Sequence, residues 1–366
     1  MHSERFRELL TAKGPFVSVY FDDSHDTEDA AHRIEVMWRG IREQLERGDV
    51  NAELIADVES AITDVHPAVG RRGRAVIVAA DGVLLNEHLG RPPAASVVRV
   101  SELPYIVPVA ELGYEHLTYL VAAVDHAGAD ITIRHHRAVR SETVDGGGYP
   151  IHKASGAETS GYGDPQPRTE EQRRKNIRAV ADRLTELVDD SGADLVFVIG
   201  EVRSRADLRP VLPERVADRV VELQVGARNS GVDDQAVHRA IDEEFQRLRR
   251  ALLDDIAERF RAELGTGLAA EGIAGVCSAL RQGAVDTLII GEIGDATVVA
   301  GDDLATVAPD ADTSSDLGAA PTRMLRADEA LPLLAVSTDA DLVCMDERIR
   351  PRDGIAAVLR FMPTGE

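Results

Sequence analysis

The pattern of apolar positions along the chain switches repeatedly between a period of two and a period near 3.6, which predicts a mixed α/β protein. In the first region, Pro15 to Phe21 is typical of a strand, and the apolar stripe from Ile34 to Leu45 predicts an amphipathic helix. Two apolar runs flank Asp81-Gly82, a dipeptide that favours a tight hairpin turn. A proline-rich stretch follows, so we expect residues 1–112 to form an N-terminal α/β domain.

The second region, residues 113–229, is predicted to be a central α/β domain. Its first strands are expected at Leu117 to Val124 and Asp130 to His136. The glycines and prolines of residues 141–168 predict a long loop. Long loops without secondary structure in compact domains are often functional, so this loop is a candidate functional segment. A long helix is predicted to begin at Thr169, which forms a capping-box pattern with Gln172.

The third region, residues 230–366, opens with an apolar stripe that predicts a helix of about thirty residues. A shorter helix is expected from Ala269 to a glycine stop at Gly283, and the buried strand Val285 to Ile290 follows it. The acidic stretch Asp302 to Asp316 is predicted to be an exposed loop. The fold class predicted for the whole chain is therefore α/β with three domains.

Charge restricts the partners. The 366-residue chain carries a formal net charge of −23, which argues against general nucleic-acid binding and against DNA. The segment from Arg134 to Arg178 is different, since it holds nine Arg or Lys residues against six Asp or Glu residues. Such a local basic segment can contact RNA phosphates, although a solvated helix face with internal ion pairs explains it equally.

Neither a membrane segment nor a cofactor motif is predicted. The longest apolar runs fall short of the ~18 residues that a membrane span needs, and the two cysteines lack metal-ligand spacing. We therefore expect a cytoplasmic protein with no cofactor and no metal site. The predicted RNA-contacting side chains are Arg71, Arg72, Arg74, His152, Lys153, Arg168, Arg173, Arg174 and Lys175.

Three sequence features carry a resemblance to a known family. The stretch Ala279-Leu-Arg-Gln-Gly-Ala-Val-Asp-Thr-Leu-Ile-Ile290 resembles the start of the C-terminal domain of archaeal and eukaryotic class 1 release factors and Pelota. The glycine-rich segment before the basic helix Glu170 to Lys175 is similar in layout to their central domain, but it lacks Gly-Gly-Gln. With Gly70 to Arg74, these features resemble the bacterial release factor-like family that includes the ribosome hibernation factor Balon.

The resemblance implies a release-factor-like fold whose C-terminal domain is an α/β/α domain related to ribosomal proteins. It also implies a non-catalytic stress or hibernation factor that binds the vacant A site, with ribosomal RNA of the A site and peptidyl-transferase centre and elongation factor EF-Tu as partners. Two alternatives stay open. One is a peptidyl-tRNA hydrolase that rescues stalled ribosomes through Gln166, which fits a looser Gly-x-x-Gln pattern. The other is a stress protein that binds a small ligand or a protein without the ribosome.

Overall fold

Contacts along the chain divide the protein into two units, one built from Met1–Glu115 and Ala251–Glu366 and the other from His116–Arg250. The first and last regions thus share one unit although each has its own sheet, and the division into three domains stays a prediction. The residues described by the computed structural model are 6–25, 30–63, 71–113, 117–135, 138–145, 165–225, 234–301, 303–318 and 320–363.

An antiparallel sheet organises the first region. In chain order its elements are α1 (Arg7–Thr11), β1 (Phe16–Asp22), α2 (Ala30–Arg47), α3 (Ala52–Thr63), β2 (Gly73–Ala79), β3 (Gly82–Leu89), β4 (Val97–Ser101) and α4 (Val107–Leu112). The strand order is β3-β2-β1-β4. The hairpin predicted at Asp81-Gly82 is confirmed, because β2 and β3 pair across it.

Strand β1 is buried on both faces, so its sequence does not alternate between apolar and polar positions. One face packs against α2 and α3, where Trp38, Ile41 and Leu45 form the predicted apolar stripe. Burying each such side chain stabilises the fold by about 1.5–3 kcal/mol. The other face of the sheet belongs to a separate core, which includes Phe16 and Tyr20.

The second unit contains a mixed five-stranded sheet. Its elements are β5 (Tyr119–Val124), β6 (Gly128–His135), β7 (Ala138–Asp145), α5 (Pro165–Ser191), β8 (Leu195–Gly200), α6 (Val202–Leu208), α7 (Glu214–Ala217), β9 (Val220–Glu222) and the first part of α8 (Asp234–Leu264). The strand order is β7-β6-β5-β8-β9, with β5, β8 and β9 parallel. Helix α5 packs on one face. Phe245 of α8 packs on the other, where its ring lies 5.3 Å from Tyr119 and 5.6 Å from Phe197.

The last region returns to the first unit. Its remaining elements are β10 (Ala269–Glu271), α9 (Gly272–Arg281), β11 (Val285–Ile290), β12 (Thr297–Ala300), α10 (Ala311–Asp316), β13 (Arg323–Arg326), α11 (Ala327–Ser337), β14 (Asp341–Cys344) and β15 (Ile355–Leu359). One sheet has the order β10-β15-β11-β14, and β12 pairs with β13. The predicted helix stop is confirmed: Gly283 adopts φ +63°, a conformation that glycine tolerates without strain.

Two predicted boundaries are wrong. Ser141 to Asp145 belong to β7 rather than to the loop, because the sheet continues along β6 over all eight residues of β7. Helix α5 begins at Pro165, so Thr169 lies inside the helix and is not its N-cap. A proline is well suited to a first helical turn, where its missing N–H costs no hydrogen bond. Residues 146–164 lie outside the described residues.

Two shorter segments also differ from prediction. Ala269–Glu271, expected at the start of a helix, forms an edge strand against β15. The acidic stretch is not a loop throughout, because α10 forms within it. Asp310 caps this helix by accepting a hydrogen bond of 2.8 Å from the Thr313 N–H, and this bond lowers the pKa of its carboxyl. Among the described helices, none is long and apolar enough to cross a membrane.

A single apolar core joins the first and last regions. Phe16 and Tyr20 of β1 belong to the same buried cluster as Leu280 of α9, Leu288 of β11 and Leu331 of α11. The first sheet therefore lies between its own helices and the last region. This shared core explains why the two ends of the chain form one unit.

An ion cluster lies beside this core. The Arg99 guanidinium stands 2.8 Å from an Asp328 oxygen and 3.3 Å from a Glu329 oxygen, and 3.5 Å from the Tyr105 ring centroid. Arg326 also binds Asp328, with its Nε 3.0 Å from Oδ1. Burial and the neighbouring Asp328 raise the pKa of the Glu329 carboxyl, although Arg99 opposes them.

We predict that Arg99→Met lowers the free energy of unfolding of the first unit by about 2–4 kcal/mol, because two buried carboxylates lose a cation. Urea unfolding followed by Trp38 fluorescence measures this change, since Trp38 is the chain's one tryptophan and packs on the first sheet. Arg91→Met is the matched control. It breaks an exposed pair with Glu111 and should cost less than about 1 kcal/mol. Equal losses in both variants would contradict a special role for the buried cluster.

We predict that Glu329→Gln stabilises the first unit at neutral pH. A carboxyl whose folded pKa is raised contributes stability below its unfolded pKa and loses it as the pH rises through the folded value. Glutamine keeps the shape without the charge, so its advantage should shrink as the pH falls toward about 4.5. Unfolding curves across this range provide the measurement, and a variant that is less stable than wild type at pH near 7 would refute the assigned charge cost.

Candidate functional site

The start of α5 meets one edge of the central sheet. Strands β5 and β8 are parallel, so their carboxyl ends lie at the same end of the sheet. His126 and Glu201 come just after these two strand ends. The strands approach closely there: a Cβ at Gly200, which adopts φ +109°, would lie 2.3 Å from the Val124 carbonyl oxygen. Only glycine fits at that position.

Asn176, in the first half of α5, fixes the helix to this end of the sheet. It is 3% exposed, and its Nδ2 donates a hydrogen bond of 2.9 Å to the carbonyl of His126. Its Oδ1 accepts a bond of 2.8 Å from Gln172 Nε2, one helical turn earlier. The buried amide is therefore bonded on both sides, and it holds the helix at the turn between β5 and β6.

Glu201 is the centre of a charged network next to Asn176. Its Oε2 accepts a hydrogen bond of 2.9 Å from Ser204 Oγ and lies 3.4 Å from Arg173 Nη2 and 3.7 Å from His126 Nδ1. Arg173 also lies 3.9 Å from Asp207, and its side chain is 15% exposed. Arg173 is therefore paired with acidic residues of its own unit. This is the alternative explanation of the basic segment, in which its cations form internal ion pairs.

The adjoining surface of α5 is basic. Arg174 and Arg178 are exposed, lie one turn apart, and make no ion pair with another described residue. Lys175 is exposed as well, and its Nζ lies 3.2 Å from Glu171 Oε1 in a solvent-accessible pair worth little energy. We call Arg174, Lys175 and Arg178 the α5 basic stripe. The predicted set omits Arg178, although its i,i+4 spacing from Arg174 was visible in the sequence.

The remaining predicted residues of this region are only partly described. Gln166 and Arg168 lie in the first turn of α5, so Gln166 is in a helix rather than in the predicted loop. Their side chains lie outside the described residues, as do His152 and Lys153 altogether.

The predicted basic group of the first region divides into three environments. Arg71 is exposed, whereas Arg72 is half-buried and donates from Nη1 to the carbonyl of Gly90 at 2.9 Å. The prediction that Arg74 contacts RNA is corrected, because its side chain is only 1% exposed. Its Nε donates to Asn86 Oδ1 and its Nη2 to the Ala61 carbonyl, each at 2.9 Å. Arg74 therefore holds β2, β3 and α3 together and is not accessible to RNA.

A shallow cavity lies between α5 and the β6–β7 edge of the sheet. It has a volume of about 340 Å³ and is lined by Ile133, Val139, Leu187 and charged residues at its rim. Arg183 at that rim is held by Glu142, whose oxygens lie 2.6 and 2.9 Å away, and the bond lowers the pKa of Glu142. Within the described part of the chain, no group of three or more His, Cys, Asp or Glu could hold a metal ion.

Comparison with known proteins identifies a family. Residues 118–266 match the model of bacterial archaeo-eukaryotic release factor family 2. Two Mycobacterium tuberculosis proteins, the uncharacterized proteins MT2704 and Rv2629, are each 52% identical over 366 residues, covering 100% of this chain and 98% of theirs. The similarity to these relatives therefore extends over both units.

Solved structures are similar at a much lower level. The archaeal translation termination factor aRF1 is 14% identical with a TM-score of 0.26, covering 98% of this chain and 97% of that one. Archaeoglobus fulgidus Pelota is 14% identical with a TM-score of 0.37, covering 80% of each chain. Similarities this low assign neither a site nor an activity.

We predict that Asn176→Ala loosens α5 around residue 176, because the His126 carbonyl loses its buried donor at a cost of about 1–3 kcal/mol. Hydrogen exchange followed by mass spectrometry should show faster amide exchange in residues 170–180. Gln172→Ala is the control. Among the described contacts, Gln172 donates only to Asn176 Oδ1, so its loss leaves the bond from Asn176 Nδ2 to the His126 carbonyl in place. Exchange at wild-type rates in Asn176→Ala would show that the amide does not fix the helix.

Proposed function

Because the chain belongs to bacterial archaeo-eukaryotic release factor family 2, we propose that it is a non-catalytic, ribosome-associated factor that occupies the vacant A site during stress or dormancy. The α5 basic stripe carries the proposal. It lies in the helix that follows residues 146–164, which by resemblance correspond to the Gly-Gly-Gln loop of release factors and lack that tripeptide. A binding segment without its catalytic tripeptide is suited to occupying a site rather than to hydrolysis.

The charge of the stripe supports RNA phosphate as its ligand. Arg174, Lys175 and Arg178 project from one exposed stretch of helix, and arginine matches phosphate geometry in a bidentate manner. The internal pairs of Arg173 and Arg203 hold the neighbouring surface in place, with Arg203 Nη2 2.7 Å from Glu170 Oε1. In this proposal Arg173 therefore supports the stripe, and the three exposed cations contact RNA.

The acidic remainder of the chain fits a protein partner. With a net charge of −23, most of the surface would repel ribosomal RNA, so RNA contacts must be local. EF-Tu is the partner that we propose for part of this acidic surface. We propose His152 and Lys153 of segment 146–164, together with Arg168 in the first turn of α5, as further RNA contacts at the peptidyl-transferase centre.

We predict that replacing Arg174, Lys175 and Arg178 together with Gln weakens binding to vacant 70S ribosomes about tenfold or more. Co-sedimentation at about 50 and 200 mM salt also gives the salt slope, which should fall by roughly one for each phosphate that the variant leaves unneutralised. The matched control replaces Arg215, Arg247 and Arg259 with Gln. These three arginines are exposed but paired internally with Asp189, Glu244 and Glu263, and the control removes the same charge.

Two outcomes would refute the proposal. One is the absence of ribosome binding by the wild type at low salt, with and without EF-Tu. The other is an equal loss in the control triple variant, which would assign the effect to net charge. A deletion limited to residues 146–164 spares β7 and α5 and tests the contribution of that segment. Gln166→Ala in a peptidyl-tRNA hydrolysis assay tests the enzymatic alternative separately.

A further inference from the structure

Strand β7 forms one edge of the five-stranded sheet. Among the described strands it pairs only with β6, over all eight of its residues and without a shift of register. In an antiparallel pair, alternate residues direct both their N–H and their C=O away from the neighbouring strand. Strand β7 therefore presents a regular row of backbone donors and acceptors on its outer side, and such a row is a template for a further strand.

The other edge strands of the described sheets are shorter or irregular. Strands β9 and β10 have three residues each, β12, β13 and β14 have four, and β4 has five. Strand β3 is as long as β7, but its pairing with β2 shifts register between Ile77 and Val78, and such irregularities twist an edge away from further pairing. Strand β7 contains neither proline nor lysine, which commonly protect edge strands. Its protection therefore depends on its three charged residues alone.

The charges of β7 are complementary to those of a second copy of the same strand. Arg140 and Glu142 flank Ser141 and share one face of the strand, because side chains alternate between faces. If two copies pair antiparallel with Ser141 on the two-fold axis, each Arg140 lies opposite Glu142 of the partner subunit. Two ion pairs then cross the axis, and on the other face Val139 lies opposite Thr143 of the partner subunit. A two-fold axis at Arg140 or at Glu142 would instead place like charges opposite each other, so charge selects the register centred on Ser141.

The side chains that this register brings together are accessible. Arg140 is 72% exposed, and its Nη2 lies 3.7 Å from Glu142 Oε2 of its own strand, too far for a direct hydrogen bond. Arg183 of α5 holds the Glu142 carboxylate at 2.6 and 2.9 Å, so the position of this acceptor is fixed by its own subunit. Val139 is an apolar side chain that is 57% exposed at the same edge. A second β7 strand would cover Val139 and give Arg140 a carboxylate directly opposite.

We propose that this chain forms a homodimer in which two β7 strands pair antiparallel about a two-fold axis at Ser141, so that two five-stranded sheets join into one. A single strand pair buries less surface than the ~1,200 Å² at the lower end of stable interfaces, so the dimer is weak and reversible. The net charge of −23 on each copy opposes association, and salt near 0.15 M screens this repulsion beyond about 8 Å. The dimer does not depend on ribosome binding.

A cysteine at the axis tests the register. In Ser141→Cys the two new thiols would lie directly opposite each other, with Cα atoms about 4.5–5.5 Å apart, which a disulfide spans. Mild oxidation with diamide should therefore link two chains, as a non-reducing gel would show. Thr143→Cys is the matched control, because its two thiols would lie four residues apart along the paired strands, about 14 Å, beyond the reach of a disulfide. The wild type, with Cys277 buried and Cys344 half-buried, gives the background.

A charge reversal tests the ion pairs. Arg140→Glu places like charges opposite each other on both sides of the axis and should raise the dimer dissociation constant about tenfold or more. Sedimentation velocity of the full chain at about 1 to 200 µM measures this constant, since dimerisation follows mass action. Arg247→Glu is the matched control, because Arg247 is 63% exposed on α8, pairs with Glu244, and its replacement changes the net charge equally. Far-UV circular dichroism shows whether each variant is folded.

Hydrogen exchange in residues 139–145 identifies what covers the strand. Slower exchange at the higher protein concentration is expected for a second copy. Protection of β7 that does not change with concentration, in a chain that sediments as a monomer, would assign the edge to a segment of the same chain and overturn the dimer. A dimer that tolerates Arg140→Glu as well as it tolerates Arg247→Glu, or that links equally through Thr143→Cys, would overturn the register. None of these measurements involves the ribosome, so their failure leaves the proposed function standing.

Discussion

The burial of both faces of the first sheet is the constraint on which the rest of the first unit depends. Phe16 and Tyr20 face the last region, while Val17, Val19 and Phe21 face α2 and α3. A strand of this kind cannot be solvated on either side without exposing a row of large apolar side chains. The last region must therefore pack on the first, and residues 116–250 lie between them in sequence as a separate unit.

The ion cluster around Arg99 is a consequence of this packing. The Arg99 side chain lies where β4 meets the beginning of α11, and it faces Asp328 and Glu329 because the shared core brings these elements together. Burying two adjacent carboxylates is unfavourable, as the raised pKa of Glu329 shows. The cluster thus contributes orientation more than net stability, since removing one partner costs more than the pair contributes.

Strong periodicity made much of the fold predictable, and local composition concealed the rest. The stripe of α2, the hairpin at Asp81-Gly82 and the stop at Gly283 each have a local physical cause that the sequence displays. Strand β7 lacks such a cause, because it is an edge strand whose exposed positions other than Val139 carry polar residues and which runs into a glycine-rich segment. Its pairing with β6 depends on the neighbouring strand, and sequence composition contains no direct record of that neighbour.

The candidate site shows the same limit for charge. A sequence displays where arginines occur but not which of them are already neutralised, and in this chain internal pairing decides their availability. Arg74 is paired with Asp23 and hydrogen-bonded to Asn86 and a backbone carbonyl, and Arg173 is paired with Glu201. Arg174 and Arg178, by contrast, are exposed at the surface. On a strongly acidic protein, attraction to phosphate is confined to the few cations that folding leaves exposed. In the proposed function, RNA binding therefore depends on the fold to bring these exposed cations against phosphate.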